Sequence, residues 1–121
     1  MSIRIKRAYE DASSEEGVRV LVDRLWPRGV SKETLKIDYW MKEIAPSNDL
    51  RKWFNHDPDK FEEFTKKYKQ ELQVEPEKIE QFERLQAMIR TGRKVVTLVY
   101  GAKDEQHNQA VVLQEWLTER L

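Results

Sequence analysis

Charged side chains gather directly behind two apolar runs. Residues 18–23 read Val-Arg-Val-Leu-Val-Asp, and Asp23, Arg24 and Arg28 follow in a stretch punctuated by Pro27 and Gly29. Two guanidiniums held by such a loop can clamp a phosphate or a carboxylate with paired hydrogen bonds. Asp23 can then act as a general base or orient one of the arginines. The plainer alternative is an Asp23–Arg28 pair that only pins the loop. The second run, residues 95–100, leads into Lys103, Asp104, Glu105, His107 and Asn108. Lys103 supplies charge, and a helix starting there points backbone N–H groups at an anion. Histidine is the side chain whose ordinary titration lies near neutrality, which makes His107 the acid/base candidate. Against this stands an ordinary solvated turn capped by Asp104 or Asn108.

Two further groups are weaker. Glu43 faces the same cleft as Asp23 if residues 37–45 form a strand beside residues 18–23, and two carboxylates there suit acid/base work; otherwise it is a surface residue. Trp53, Phe54, His56 and Asp57 form an aromatic-polar cluster that reads as core or, alternatively, as a wall on which a ring stacks. His56 and His107 are far apart and lack ligand spacing, so no metal site is assigned. No phosphate-binding loop, dinucleotide fingerprint or nucleophile elbow occurs, and nothing specifies a cofactor.

These residues need elements to position them. The β-branched runs at 18–23 and 95–100 have the pattern of strands buried on both faces. Open α/β sheets build sites at the carboxyl ends of such strands, so the two ends are expected side by side. Residues 3–9 alternate apolar and polar, as in a half-buried strand at or near an edge. Residues 10–17 read as a loop or a loop with one helical turn, and residues 30–35 as a short helix with Ser31 and Thr34 as capping hydroxyls. Residues 37–45 carry both signals, Ile37, Tyr39 and Met41 alternating as in a strand and Trp40 and Ile44 spaced as in a helix. The strand is favoured, ended by Pro46. Ser47 then caps a helix with Leu50, Trp53 and Phe54 on one face. Asp57-Pro58 starts a helix with the stripe Phe61, Phe64, Tyr68 and Leu72. Pro76 opens another, with the stripe Ile79, Phe82, Leu85, Met88 and Ile89, and Gly92 is placed for a left-handed cap. The last helix carries Ala110, Leu113, Leu117 and Leu121. The expectation is one small α/β domain over residues 1–121, a mainly parallel three- to four-stranded sheet flanked by helices.

Composition narrows the partners. The 121 residues hold 22 Lys and Arg against 22 Asp and Glu, so no net field draws the chain to nucleic acid or anionic lipid, although a local basic patch remains open to it. With 10% aromatic residues among 36% charged ones, the pattern is a packed core under a solvated surface. Cysteine is absent, which removes disulfides and thiolate chemistry. Neither a signal peptide nor a run of about 20 apolar residues is recognisable, so a cytoplasmic protein without a membrane partner is expected.

Four motifs carry a resemblance. Residues 21–29, Glu43-Ile44-Ala45-Pro46-Ser47, residues 51–58 and residues 98–108 resemble, in order and over essentially the whole chain, the YeaO-like branch of domain-of-unknown-function family 488. The resemblance implies a compact α/β fold with these motifs gathered in one place, and no established reaction. Other branches carry a cysteine-containing motif after the last strand, where this chain has Lys103-Asp104-Glu105-Gln106-His107. A thiol mechanism is therefore not carried over.

Three functions follow, in order. The first is a small enzyme on an anionic substrate, phosphate- or nucleotide-like or a nucleic acid, with Asp23 and His107 moving protons. Arg24, Arg28, Lys103, Asp104, Asn108 and Glu43 would hold that substrate. The second is a non-catalytic anion- or nucleotide-binding or sensor module using the same clamp. The third is a protein-interaction domain using exposed aromatics such as Trp26 and Trp53.

Overall fold

A computed structural model of the chain describes residues 3–92 and 95–121. The strands β1 (Ile3–Arg7), β2 (Val18–Leu21), β3 (Tyr39–Trp40) and β4 (Val96–Tyr100) make one sheet in the order β1-β4-β2-β3. Every pairing is parallel, so the chain has the α/β architecture expected of it. The two β-branched runs are the central strands, in register from Val18 against Val96 to Leu21 against Val99. Their carboxyl ends therefore lie side by side.

Alternation along these strands sorts their side chains into two cores. Val20, Val22, Val96, Leu98 and Tyr100 face α2 (Asn48–Phe54), α3 (Phe61–Val74), α4 (Pro76–Thr91) and α5 (Gln109–Glu119). Leu21 and Val99 face the other way, onto Leu35 of α1 (Lys32–Leu35) and onto Trp26, Ile37 and Trp40. Each fully buried Leu or Val side chain contributes about 1.5–3 kcal/mol. A sheet covered on both faces this way must put its polar chemistry at the strand ends. One glycine is required by close approach. Gly17 has φ +65°, and a Cβ there would lie 2.0 Å from the Val95 carbonyl that receives the Val18 N–H.

The caps follow the chemistry of their side chains. Ser31, Ser47, Asp57 and Asn108 each accept a backbone N–H from the first turn they open. Four details differ from expectation. Residues 37–45 form a strand only at Tyr39–Trp40, followed by a 3-10 turn at Lys42–Ile44, which reconciles their strand-like and helix-like spacings. Gly92 is extended (φ −85°), because the α4 end is closed by its own N–H on the Met88 carbonyl. Lys78 is buried on α4 while Ile79 is only half-buried, since Glu75 and Glu71 stand 3.3 and 4.0 Å from the ammonium. Leu121 lies beyond the end of α5 and is exposed. Among the described residues no helix is long and apolar enough to cross a membrane.

Candidate functional site

The loops after β2 and β4 open onto one cleft of about 810 Å³. Asp23 to Arg28 line one side of it and Gly101 to Asp104, His107, Asn108 and Gln109 another. Ala45, Pro46, Arg51, Phe54, His56 and Phe64 close it from the helical side. Phe54 and Phe64 stack at 4.2 Å between ring centroids, giving the cleft an apolar wall. The exposed Tyr9 and Leu25 stand at its margin.

Asp23 sits where β2 ends, and its carboxylate crosses to the neighbouring strand end. Oδ2 accepts the Gly101 N–H at 2.7 Å, and Oδ1 accepts the Gln109 side-chain amide. A Cβ on residue 101 would stand 3.0 Å from that Oδ2, so glycine leaves the approach open. The Asp23 carbonyl in turn receives the Trp40 indole N–H at 2.8 Å. Burial pushes the Asp23 carboxyl up to about 6, against the lowering effect of its two hydrogen bonds. Asp23 is thus pinned between strands and pairs with neither Arg24 nor Arg28.

The arginines divide. Arg24 is turned to the wall: Nε donates to the Pro46 carbonyl at 3.2 Å and Nη2 to Ala45 at 3.3 Å, with Nη1 3.7 Å from Glu43. Glu43 accordingly sits beside Arg24 on the outer surface and does not line the cleft. Arg28 is exposed, lines the cleft, and has no side-chain partner among the described residues, although its carbonyl receives the Tyr9 hydroxyl. Its loop is held by Trp26, whose indole donates to the Val30 carbonyl and meets Trp40 edge to face at 5.3 Å.

Behind β4, Asp104 organises the turn. Oδ1 accepts the N–H groups of Gln106 and His107, and Oδ2 lies 2.8 Å from His107 Nδ1. The Gln106 backbone bond and the His107 ring hold the Asp104 carboxyl below its ordinary range. The imidazole is oriented by this carboxylate and by the edge of Phe61, 5.1 Å away. Asn108 is buried and spent on structure: its carbonyl caps α5 at the Val111 N–H, and its amide donates to the Asp104 carbonyl. Lys103 is exposed and unpaired among the described residues.

Asp23, Arg24, Arg28, Lys103, Asp104, His107 and Asn108 thus share the cleft, and Glu43 lies outside it. Two members were assigned no role from the sequence, although Arg51 opens the motif at residues 51–58. Arg51 reaches the cleft because α2 ends there with Phe54 and His56, and Gln109 because α5 begins beside β2. Asn55 and His56 follow α2 with φ of 46° and 55°, two left-handed residues that turn the chain sharply at the cleft edge. Trp26 and Trp53 are half-buried rather than exposed, and Trp53 is covered by the ammonium groups of Lys60 and Lys67. No group of three potential metal ligands occurs among the described residues.

A sequence model described as "Inactive DUF488-N3 subclade" matches residues 2–121. An uncharacterized protein of Mycobacterium tuberculosis is 38% identical over 118 residues, covering 98% of this chain and 95% of its own. The uncharacterized protein YeaO of Escherichia coli is 40% identical over 117 residues, covering 97% of each chain. No solved structure matches.

Proposed function

The chain belongs to the DUF488 family, in a subclade described as inactive, and from that premise we propose a non-catalytic binding protein whose cleft takes a small anionic molecule. The observation that carries this is the convergence of Arg28, Arg51 and Lys103 on one concavity, none with an acidic partner among the described residues. Asp104 is engaged locally by the His107 ring and two backbone N–H groups. The cleft therefore offers positive charge on a chain that is neutral overall. Charge-assisted hydrogen bonds from guanidiniums favour phosphate or carboxylate. Phe54, Phe64 and Pro46 supply apolar contact for the rest of the ligand. Its volume is in the range of small-molecule pockets, which favours a compact ligand over a polymer.

A thermal-shift series tests this on wild type, Arg28→Ala and Arg51→Ala, with inorganic phosphate, nucleoside monophosphates, sugar phosphates, dicarboxylates and short oligonucleotides. A ligand at about a hundred times its Kd stabilises by about 2.7 kcal/mol. The expected result is stabilisation of wild type by a small anion, lost in both variants. Equal shifts in all three proteins, or stabilisation by oligonucleotides alone, would remove the reading.

One observation favours chemistry as a second reading. Asp23, with its carboxyl near 6, and the Asp104–His107 pair stand on the same cleft, as a general base and an oriented imidazole would. If the ligand found above is converted on incubation, and Asp23→Asn and His107→Ala each stop conversion, the protein is an enzyme.

A further inference from the structure

We propose that the ligand of this cleft carries, besides its anionic group, a planar N–H donor edge of the amidine, guanidine or amino-heterocycle kind, and that Asp23 receives it. This rests on the anion-binding reading of the same cleft and adds the chemistry of the ligand's other end.

The geometry of Asp23 is that of an incomplete ion site. Its carboxylate is half-buried at the end of β2, and among the described residues no Lys, Arg or His nitrogen comes within ion-pair distance of it. Of the basic side chains on the cleft, Arg24 is engaged with the Ala45 and Pro46 carbonyls and Glu43, His107 is engaged with Asp104, and Arg28, Arg51 and Lys103 stand beyond ion-pair distance of Asp23. Its two partners are neutral donors, one to each oxygen. A carboxylate has about four acceptor sites, so each oxygen keeps one. Because Asp23 lines the cleft, that remaining capacity faces whatever enters.

Gln109 strengthens the case. An ionised carboxylate only accepts hydrogen bonds, so the Gln109 NH₂ must face Asp23 and its carbonyl oxygen is the other end of the amide. That oxygen has no donor among the described residues, and Gln109 also lines the cleft. The Asp23 carboxylate and the Gln109 carbonyl oxygen together give the cleft a patch of free acceptor sites, beside the one Gln109 N–H that Asp23 does not take. Arg28, Arg51 and Lys103 form a donor-only one. A ligand matching both is amphoteric, and a planar pair of N–H groups fits a carboxylate with two parallel bonds.

The test uses two probes that share an anion and a shape and differ in the donor edge: 4-amidinobenzoate and 4-acetylbenzoate. Each is titrated, alongside inorganic phosphate, into isotope-labelled full-length protein, with the Gly101 N–H and the Gln109 side-chain amide as reporters. The expected result is that wild type binds the amidine at least about tenfold more tightly than the ketone. That preference should disappear in Asp23→Asn. It should also shrink in Gly101→Ala, a second variant that crowds the carboxylate without removing it. Equal affinity for the two probes, or an unchanged preference in Asp23→Asn, overturns the donor edge and leaves the anion reading standing. If phosphate shifts the Arg28 and Arg51 signals while neither benzoate binds, the donor edge again falls alone. If none of the three binds, both readings fall.

Discussion

At the scale of a residue, Asp23 destabilises the fold it belongs to. The unfolded carboxyl titrates near 3.8 and the folded one near 6, so the folded state retains a proton that the unfolded chain has released between those values. Its contribution is complete below about pH 3.8 and is lost as pH rises through 6. At pH 7.5 the half-buried anion costs about 1–3 kcal/mol. Asp23→Asn keeps the acceptor for Gly101, and a flip of the Gln109 amide restores the second bond. The variant should be more stable than wild type at pH 7.5 by that amount and indistinguishable from it below pH 4, as read by urea denaturation at both pH values. A residue that weakens the fold at working pH while lining a cleft has the balance expected of a functional group. If Asp23→Asn is less stable at pH 7.5, the carboxylate is a structural pin and the argument from its burial is lost.

At the scale of elements, the cleft wall depends on how α2 is anchored. Ser47 Oγ accepts the Leu50 N–H that opens α2 and donates to Glu71 of α3, which also receives the Ser47 N–H at 2.9 Å. Tyr68 of α3 binds the Ile44 carbonyl just before it. Ser47→Ala removes the cap and half of this clamp, a loss of about 1–2 kcal/mol. That corresponds to a fall of about 5–10 °C in Tm. Since Arg51 and Phe54 ride on α2, ligand affinity should fall with it, measured by titration at a temperature where the variant is fully folded.

The same elements show what the sequence could carry. Residues 18–23 and 95–100 were legible as strands covered on both faces because their β-branched runs, interrupted at Arg19, leave no consistently polar face. The side-by-side strand ends followed from that, and with them Asp23, Arg28, Lys103 and His107. Ser31, Ser47 and Asn108 were legible because a cap is a local hydrogen bond. Residues 37–45 were not, since a two-residue strand leading into a 3-10 turn mixes both periodicities. Arg51, although it opens one of the motifs, and Gln109 had no assigned role for a different reason. Nothing in their neighbours' spacing says that the end of α2 and the start of α5 meet over the end of β2. Glu43 was drawn toward the cleft by its strand, and Arg24 holds it outside.

At the scale of the whole molecule, one buried charge cluster ties the pieces together on the sheet face opposite the large core. Glu16 accepts from Lys6 of β1 and Arg19 of β2, and its backbone carbonyl receives the Thr97 hydroxyl of β4 at 2.7 Å. Arg19, 3% exposed, also gives Nε and Nη2 to the Leu35 carbonyl at the end of α1. Burial alone would raise the Glu16 carboxyl, but the hydrogen bonds from Lys6, the Ser13 backbone and Arg19 outweigh it and leave it below 4.5. The sign is opposite to that of Asp23. Glu16 contributes its full stability above about pH 4.5 and loses it as pH falls through the lower folded-state value. The stability of the wild type should therefore rise with pH on the acid side, on Glu16, and fall again toward neutrality, on Asp23. Glu16→Gln leaves the Arg19 guanidinium buried without its counter-charge, which costs on the order of 3 kcal/mol. It should also flatten the acid limb while keeping the decline toward neutrality, whereas Asp23→Asn keeps the acid limb and loses the decline. Denaturation midpoints across pH 3–8 for the three proteins read both limbs at once. An acid limb unchanged in Glu16→Gln would move the acid sensitivity of the fold to other carboxylates, Asp104 first, since it too is held below its ordinary range.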